Sequence, residues 1–341
     1  MKFRELHLGK AISAALFVLL LTVAGTKNAL AQTQVATLEQ QGIITAFYGP
    51  NALVEAYNAA EHGDIITLSS GSFTPTTIEK AITLRGAGCV ADTEAGTAAT
   101  IINGLITMTV TDTVDYVLSV EGILFPNEVK MGFLDSPTFT RCNFMKINDT
   151  GQGGHNMTNA YFIDCIIKDM TFYRTNNTTM VNCVVWEPSW VYNNQPVVIY
   201  NSIFGGMINQ NTGLTAYNSI IVKQRGSTPT SSCSFFNCLG ISVDGSYPFG
   251  GGYTSECDTV SSYEEVFLYF DGNFTLESDF SLTGTAASLP TSDGTQVGIY
   301  GGSMPYSSRP AYQVLKRTTV APRSNVEGKL EVEIEVITEE E

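Results

Sequence analysis

A short phrase returns along this chain at nearly constant spacing. It reads Arg141-Cys142-Asn143-Phe144, Asp164-Cys165-Ile166-Ile167, Asn182-Cys183-Val184-Val185, Asn201-Ser202-Ile203-Phe204, Asn218-Ser219-Ile220-Ile221 and Asn237-Cys238-Leu239. Aligned on the Cys or Ser, the steps are 23, 18, 19, 17 and 19 residues, and Gly122, Gly104 and Gly86 continue the series backwards at 20, 18 and 18. A period near 19 is too regular for chance and too short for a pair of helices. A unit this short cannot bury its own apolar face, so it must stack on its neighbours.

Within each phrase, apolar residues stand at minus two and plus two from the marker: Val181 and Val185, Tyr200 and Phe204, Tyr217 and Ile221. Read as one strand with a period of two, both lie on the inner side with the small marker between them. The residue at minus one (Arg141, Asp164, Asn182, Asn201, Asn218, Asn237) then points outward. Strands from successive coils would pair in parallel at about 4.8 Å. The expected fold is all-β: a single-stranded right-handed parallel β-helix, or solenoid, spanning residues 32–305. A short capping helix is expected at about 50–60, with Leu53, Val54, Tyr57 and Ala60 on one side. Coils run from about 64 to 245, an irregular insert covers 246–275, and a closing coil reaches 302. Residues 306–341 form an acidic tail in which Lys329 to Val336 alternates strictly, the pattern of a half-buried strand packed on the end of the solenoid.

The first 31 residues have the form of a secretory signal peptide. Lys2, Arg4 and Lys10 precede an apolar run from Ala11 to Ala24, and Ala29-Leu30-Ala31 is a small-residue cleavage site. No later stretch is long and apolar enough to span a bilayer, so the mature chain is expected to be exported, either secreted, periplasmic or at the cell surface. The 341-residue chain has 18 basic and 33 acidic residues, a net charge of −15. Cleavage would remove four basic residues and one acidic residue, leaving the remainder still more acidic. Such a surface disfavours nucleic acid and anionic lipid as partners.

Export permits disulfides. Cys142, Cys165, Cys183 and Cys238, however, occupy one equivalent inward position and read as a stacked ladder of buried thiols. Neighbouring rungs lie within disulfide reach, and Cys233 with Cys257 is the next pairing the sequence suggests. No Cys/His spacing suggests zinc, and no metal site is expected.

The stretch Ala59-Ala60-Glu61-His62-Gly63-Asp64-Ile65-Ile66-Thr67-Leu68, followed by Gly71-Ser72-Phe73 and Ile82-Thr83-Leu84-Arg85-Gly86, resembles the opening of secreted parallel β-helix proteins of the pectate-lyase-like superfamily. The Asn-Cys coils resemble its body. Asp293 to Gly302 and Gly328-Lys329-Leu330 are similar to the ends of such proteins in Gram-negative bacteria. The resemblance implies the fold, while the superfamily spans lyases, hydrolases, adhesins and members without chemistry. Its polygalacturonase-type motifs are absent: Gly153-Gly154-His155-Asn156 is a faint echo of one. A lyase of this family would bring Ca²⁺ as cofactor; otherwise none is expected.

Stacking the coils brings candidate residues into stripes. The minus-one position gives Glu121, Arg141 and Asp164; the plus-four position gives Lys146, Asp169 and Glu187. At about 5 Å spacing, paired carboxylates could hydrolyse a glycosidic bond, and the same charges could equally form surface salt-bridge ladders of little energy. The two tryptophans, Trp186 and Trp190, cluster with Tyr192, and Tyr173 and Arg174 lie one coil earlier. Exposed rings there could stack on sugars; rings packed on the flank of the solenoid would not. The expectation is a monomeric, non-catalytic secreted or surface protein that binds carbohydrate or another extracellular partner. The alternative is a polysaccharide lyase or glycoside hydrolase.

Overall fold

The computed structural model describes residues 34–92, 96–111, 115–149, 157–172, 175–191, 196–205, 213–223, 232–243, 245–289, 291–309, 314–320 and 332–337. It is a parallel β-solenoid built on a 12-stranded and an 11-stranded sheet. In the 12-stranded sheet Thr138–Thr140 lies on Tyr161–Ile163, and that strand on Thr178–Val181. In the 11-stranded sheet Asn143–Asp149 lies on Ile166–Phe172, and that strand on Val184–Val191. The chain thus passes from one sheet to the other once per coil. A short third side joins them where Leu134–Asp135 pairs with Met157–Thr158.

The recurring phrase is a corner between two strands, not one strand. Arg141, Asp164, Asn182, Asn201, Asn218 and Asn237 all take positive φ, between 47° and 53°. Asn and Asp tolerate this left-handed conformation because their short polar side chains bond locally. The corner rotates the chain, so the inward set becomes minus three, zero and plus two. Phe139, Cys142 and Phe144 are buried in one coil, and Phe162, Cys165 and Ile167 in the next. The minus-two residues, expected inside, face outward: Tyr200 is 39% exposed, and Ile163, Val181 and Tyr217 are half-buried. The glycine series shifts as well. Glu121 pairs with both Thr140 and Arg85, so Gly122 and Gly86 share the corner position of Arg141, one residue earlier than expected. Gly122 adopts φ 67°, and the inward marker of its coil is the buried Ile123. Gly104 sits at another corner, between Thr100–Ile102 and Ile106–Met108, both of which pair with Leu124–Met131.

The small marker has a hydrogen-bonding reason. Ser202 and Ser219 each donate Oγ–H to the carbonyl two residues back, on Tyr200 and Tyr217, at 2.7 Å. The thiols of Cys142, Cys183 and Cys257 reach the matching carbonyls at 3.3, 3.2 and 3.4 Å. Each carbonyl also accepts a backbone N–H from the preceding coil, as Ile163 does from Arg141 and Val181 from Asp164; its second lone pair takes the side chain. All seven cysteines are free thiols. The suggested Cys233–Cys257 pairing is therefore corrected. Cys233 is buried in the main core, and Cys257 is the next rung after Cys238, because Leu239 pairs with Asp258.

The N-terminal end and one flank are covered. The expected helix, α1 (Ala52–Ala59), buries Ala52, Leu53, Ala56 and Tyr57. It is joined by an unforeseen antiparallel hairpin, Val35–Gln40 with Ile43–Tyr48, laid on Ile65–Leu68. At the other end the coil pattern does not break at 246. Tyr253–Ser255 and Asp258–Val260 continue both sheets. Only after residue 260 does the chain leave the coil and run along the outside of the 11-stranded sheet. There Val266, Phe270, Phe280 and Ile299 pack on Ile166, Val184, Ile203 and Ile220 in a second core. The tail strand Val332–Ile337 pairs antiparallel with Val314–Val320, so it is half of a hairpin.

Candidate functional site

The first predicted stripe is not a single row: Arg141 and Asp164 are corner rungs, whereas Glu121 stands level with Thr140, one position before the corner held by Gly122. Arg141 Nη1 lies 3.3 Å from Glu121 Oε1, and its Nε lies 3.8 Å from Asp164 Oδ2, with side-chain exposures of 16%, 22% and 7% for Arg141, Glu121 and Asp164. The row continues into Asn182, whose Nδ2 donates to Asp164 Oδ1 at 3.3 Å and to the Met304 carbonyl. Further on, Asn218 Oδ1 accepts from the backbone N–H and hydroxyl of Ser292, both at 3.0 Å, and its Nδ2 donates to Asp293 Oδ2 at 3.2 Å. The segment 291–304 is thus a strap held on the minus-one row. That row is buried beneath the strap: Asn182 is 3% exposed and Asn218 4%.

The second stripe forms as expected and is longer. Lys146 pairs with Asp169 and with Glu128, and Asp169 pairs with Glu187. Glu128 extends the row and accepts a 2.6 Å bond from Asn148 Nδ2. Glu187 is exposed and the other three are half-buried. One row therefore alternates acid, base, acid, acid on adjacent strands.

The tryptophan shoulder divides. Trp186 is 3% exposed. Its ring meets Phe270 edge-on at 4.9 Å, stacks on Phe274 at 5.6 Å and lies 6.1 Å from Tyr263. It belongs to the second core and offers no ring face to a sugar. Trp190 lies in the strand Val184–Val191. Tyr173, Arg174 and Tyr192 fall outside the described residues.

An aromatic row on the opposite sheet was not anticipated. Tyr200 stacks on Tyr217 with centroids 5.1 Å apart and planes 9° from parallel, and Tyr217 on Phe236 at 5.0 Å and 12°. Tyr253, 60% exposed on the last strand of its sheet, pairs with Ser234 in the next outward row and lies diagonally 5.8 Å from Phe236. The neighbouring outward row holds Tyr161, Thr179, Val198, Thr215 and Ser234, paired strand to strand. Stacked rings turn their edges and the Tyr hydroxyls to solvent, beside a line of Thr and Ser hydroxyls. This face is flat, uncharged and mixed in character, suited to a ligand with apolar ring faces and many hydroxyls. The signal in the sequence was Tyr at minus two in consecutive coils, which reads as core unless the corner is known.

Among the described residues, no group of three or more His, Cys, Asp or Glu is placed to hold a metal ion, and no helix is long and apolar enough to cross a membrane. No protein-family model, curated protein or solved structure matches this chain.

Proposed function

We propose that the protein is an exported, monomeric, non-catalytic β-solenoid that binds carbohydrate through the outer face of its 12-stranded sheet. The observation that carries this reading is the stacked row Tyr200, Tyr217, Phe236, with Tyr253 diagonally beside Phe236 in the neighbouring row, left outside both cores. Sugar rings have apolar C–H faces and polar rims, and this face offers both complements. The net charge of −15 favours a neutral glycan over a polyanionic one. Retention on insoluble polysaccharides and on a glycan array tests it. The double substitution Tyr200→Ala, Tyr253→Ala is expected to weaken binding about tenfold, roughly 1.4 kcal/mol, with the fold intact. Binding unchanged by that pair would remove the face from consideration.

A second reading rests on the Asp169–Glu187 pairing. Carboxyl groups on adjacent strands, about 4.8 Å apart, approach the roughly 5–5.5 Å separation of retaining glycosidases, and Lys146 lies beside them. Reducing-end and unsaturated-uronate assays address it. Product formation lost in Asp169→Ala would replace the binding reading with a hydrolase or lyase, the latter using Ca²⁺.

A further inference from the structure

The thiol ladder is not uniform. Cys142, Cys165 and Cys183 are 0% exposed and enclosed by the main core. The ladder is then interrupted by Ser202 and Ser219, and resumes with Cys238 and Cys257 at the far end. Cys238 is 2% exposed, and Cys257 is only partly buried. Both line a cavity of about 300 Å³ that also takes in Glu256, Asp258 and Leu289. The register Leu239 to Asp258 sets the two cysteines side by side on neighbouring coils, and the Cys238 backbone N–H donates to Cys257 Sγ at 3.4 Å. Neighbouring strands are about 4.8 Å apart, inside the roughly 4.4–6.8 Å range of Cα separations that a disulfide spans.

We propose that Cys257 and Cys238 form a thiol–disulfide exchange site, in which Cys257 attacks a small disulfide entering the cavity and Cys238 resolves the adduct. The Cys257 thiolate attacks one sulfur of RSSR and expels RS⁻, giving a Cys257–SR mixed disulfide. The Cys238 thiol loses its proton and attacks Cys257 Sγ, expelling the second RS⁻. Two protein thiols become one disulfide, RSSR becomes two RSH, and two protons pass from protein to product. No further oxidant is required.

The two parts of the ladder differ in access. Against strong desolvation by burial, the hydrogen bonds from Cys142 and Cys183 hold the Cys165 thiol low too, but Cys165 is fully enclosed whereas Cys257 is only partly buried. Burial, and then the neighbouring Cys165, push the Cys142 and Cys183 thiols well above the ordinary range, so they stay protonated and inert. The hydrogen bond from the Cys238 side chain holds the Cys257 thiol down to about 7, against the opposing effect of partial burial. Glu256 and Asp258 face the same cavity and oppose the thiolate, although Glu256 is partly engaged by the Asn237 amide at 2.9 Å. Cys257 is thus the attacking sulfur and the more deeply buried Cys238 the resolving one.

The test uses the full mature chain with glutathione disulfide as probe, followed by non-reducing peptide mapping. A Cys238–Cys257 crosslink is expected in the wild type. In Cys238→Ser a stable glutathione adduct on Cys257 is expected, and in Cys257→Ser neither product. The Cys238→Ser variant should keep its fold, since serine already fills the equivalent position at 202 and 219. Iodoacetamide should label Cys257 at least about tenfold faster than Cys142, Cys165 or Cys183 in the native protein. The absence of both crosslink and adduct would overturn the proposal. So would a wild type that stops at the glutathione adduct, because the resolving step would have failed, or equal labelling along the whole ladder.

Discussion

The two long sheets are made by the same coils, yet their outer faces have opposite fates. Outside the 11-stranded sheet, Ile166, Val184, Ile203 and Ile220 are covered by the chain's own segment after residue 260, and Trp186 disappears beneath Phe270 and Phe274. Outside the 12-stranded sheet, Ile163, Val181, Tyr200, Tyr217 and Phe236 are also apolar, but they stay half-exposed, and the rings stack along the rod. Apolar residues on an outer face therefore do not by themselves report a core. What separates a second core from a binding face is whether a further piece of chain returns to cover it.

That contrast can be broken most directly at Trp186. Trp186→Ala should cost about 3–5 kcal/mol in denaturant unfolding, as truncation of a large buried ring does. Tyr217→Ala, on the other sheet, should cost about 1 kcal/mol or less, the scale of a cross-strand pair. Equal losses would show that the two faces are packed alike.

The strap offers a second point of attack. Asn218→Ala removes the partners of Ser292 and Asp293 and places a residue with a Cβ but no local hydrogen bond at φ 49°. A loss of about 1–3 kcal/mol is expected. Asn218→Gly should lose less, because glycine relieves the backbone part. If the two variants are equally stable, the corner conformation is not the source of strain.

The smallest effect belongs to the short third side, where Asp135 pairs with Thr158. The Thr158 hydroxyl, then the Asn159 amide, hold the exposed Asp135 carboxyl below the usual carboxylate range. A depressed folded value means that its contribution is complete above the ordinary pKa of about 3.9 and is lost as pH falls through the folded one. Asp135→Asn should therefore flatten the acid limb of a stability–pH curve slightly, by well under about 1 kcal/mol in this solvent-screened position. An unchanged acid limb would show that these bonds do not survive in solution.

Much of the architecture was legible because stacking imposes period. The near-19-residue return predicts parallel coils, the buried cysteine ladder and the row Lys146, Asp169, Glu187, and the one-sided apolar spacing at 50–60 predicts the capping helix. The errors share one physical origin. A period-two reading assumes a continuous strand, and one left-handed residue per coil breaks it, so that reading puts Tyr200 and Tyr217 inside and Gly122 one position off. The cover after residue 260 was hidden for a different reason. Its contacts join positions remote in sequence, and an aromatic such as Trp186 carries no mark of which other segment will lie on it. The candidate site suffered from both. The visible tryptophan cluster lost a member to the core, and the outward tyrosines looked like core residues.

The strap has a consequence for how the molecule comes apart. A bare solenoid melts almost as a one-dimensional chain, each coil sensing only its neighbours, so ends fray while the middle persists. Here Asn182 is tied to Met304, 122 residues away, and Asn218 to Ser292, 74 residues away. Those ties run across several coils at once. They join the coils beneath the strap and the second core, from Ile166 onward, into one block that must open together, and the Arg309–Asp92 ion pair at 3.3 Å ties the same C-terminal segment to an early coil as well.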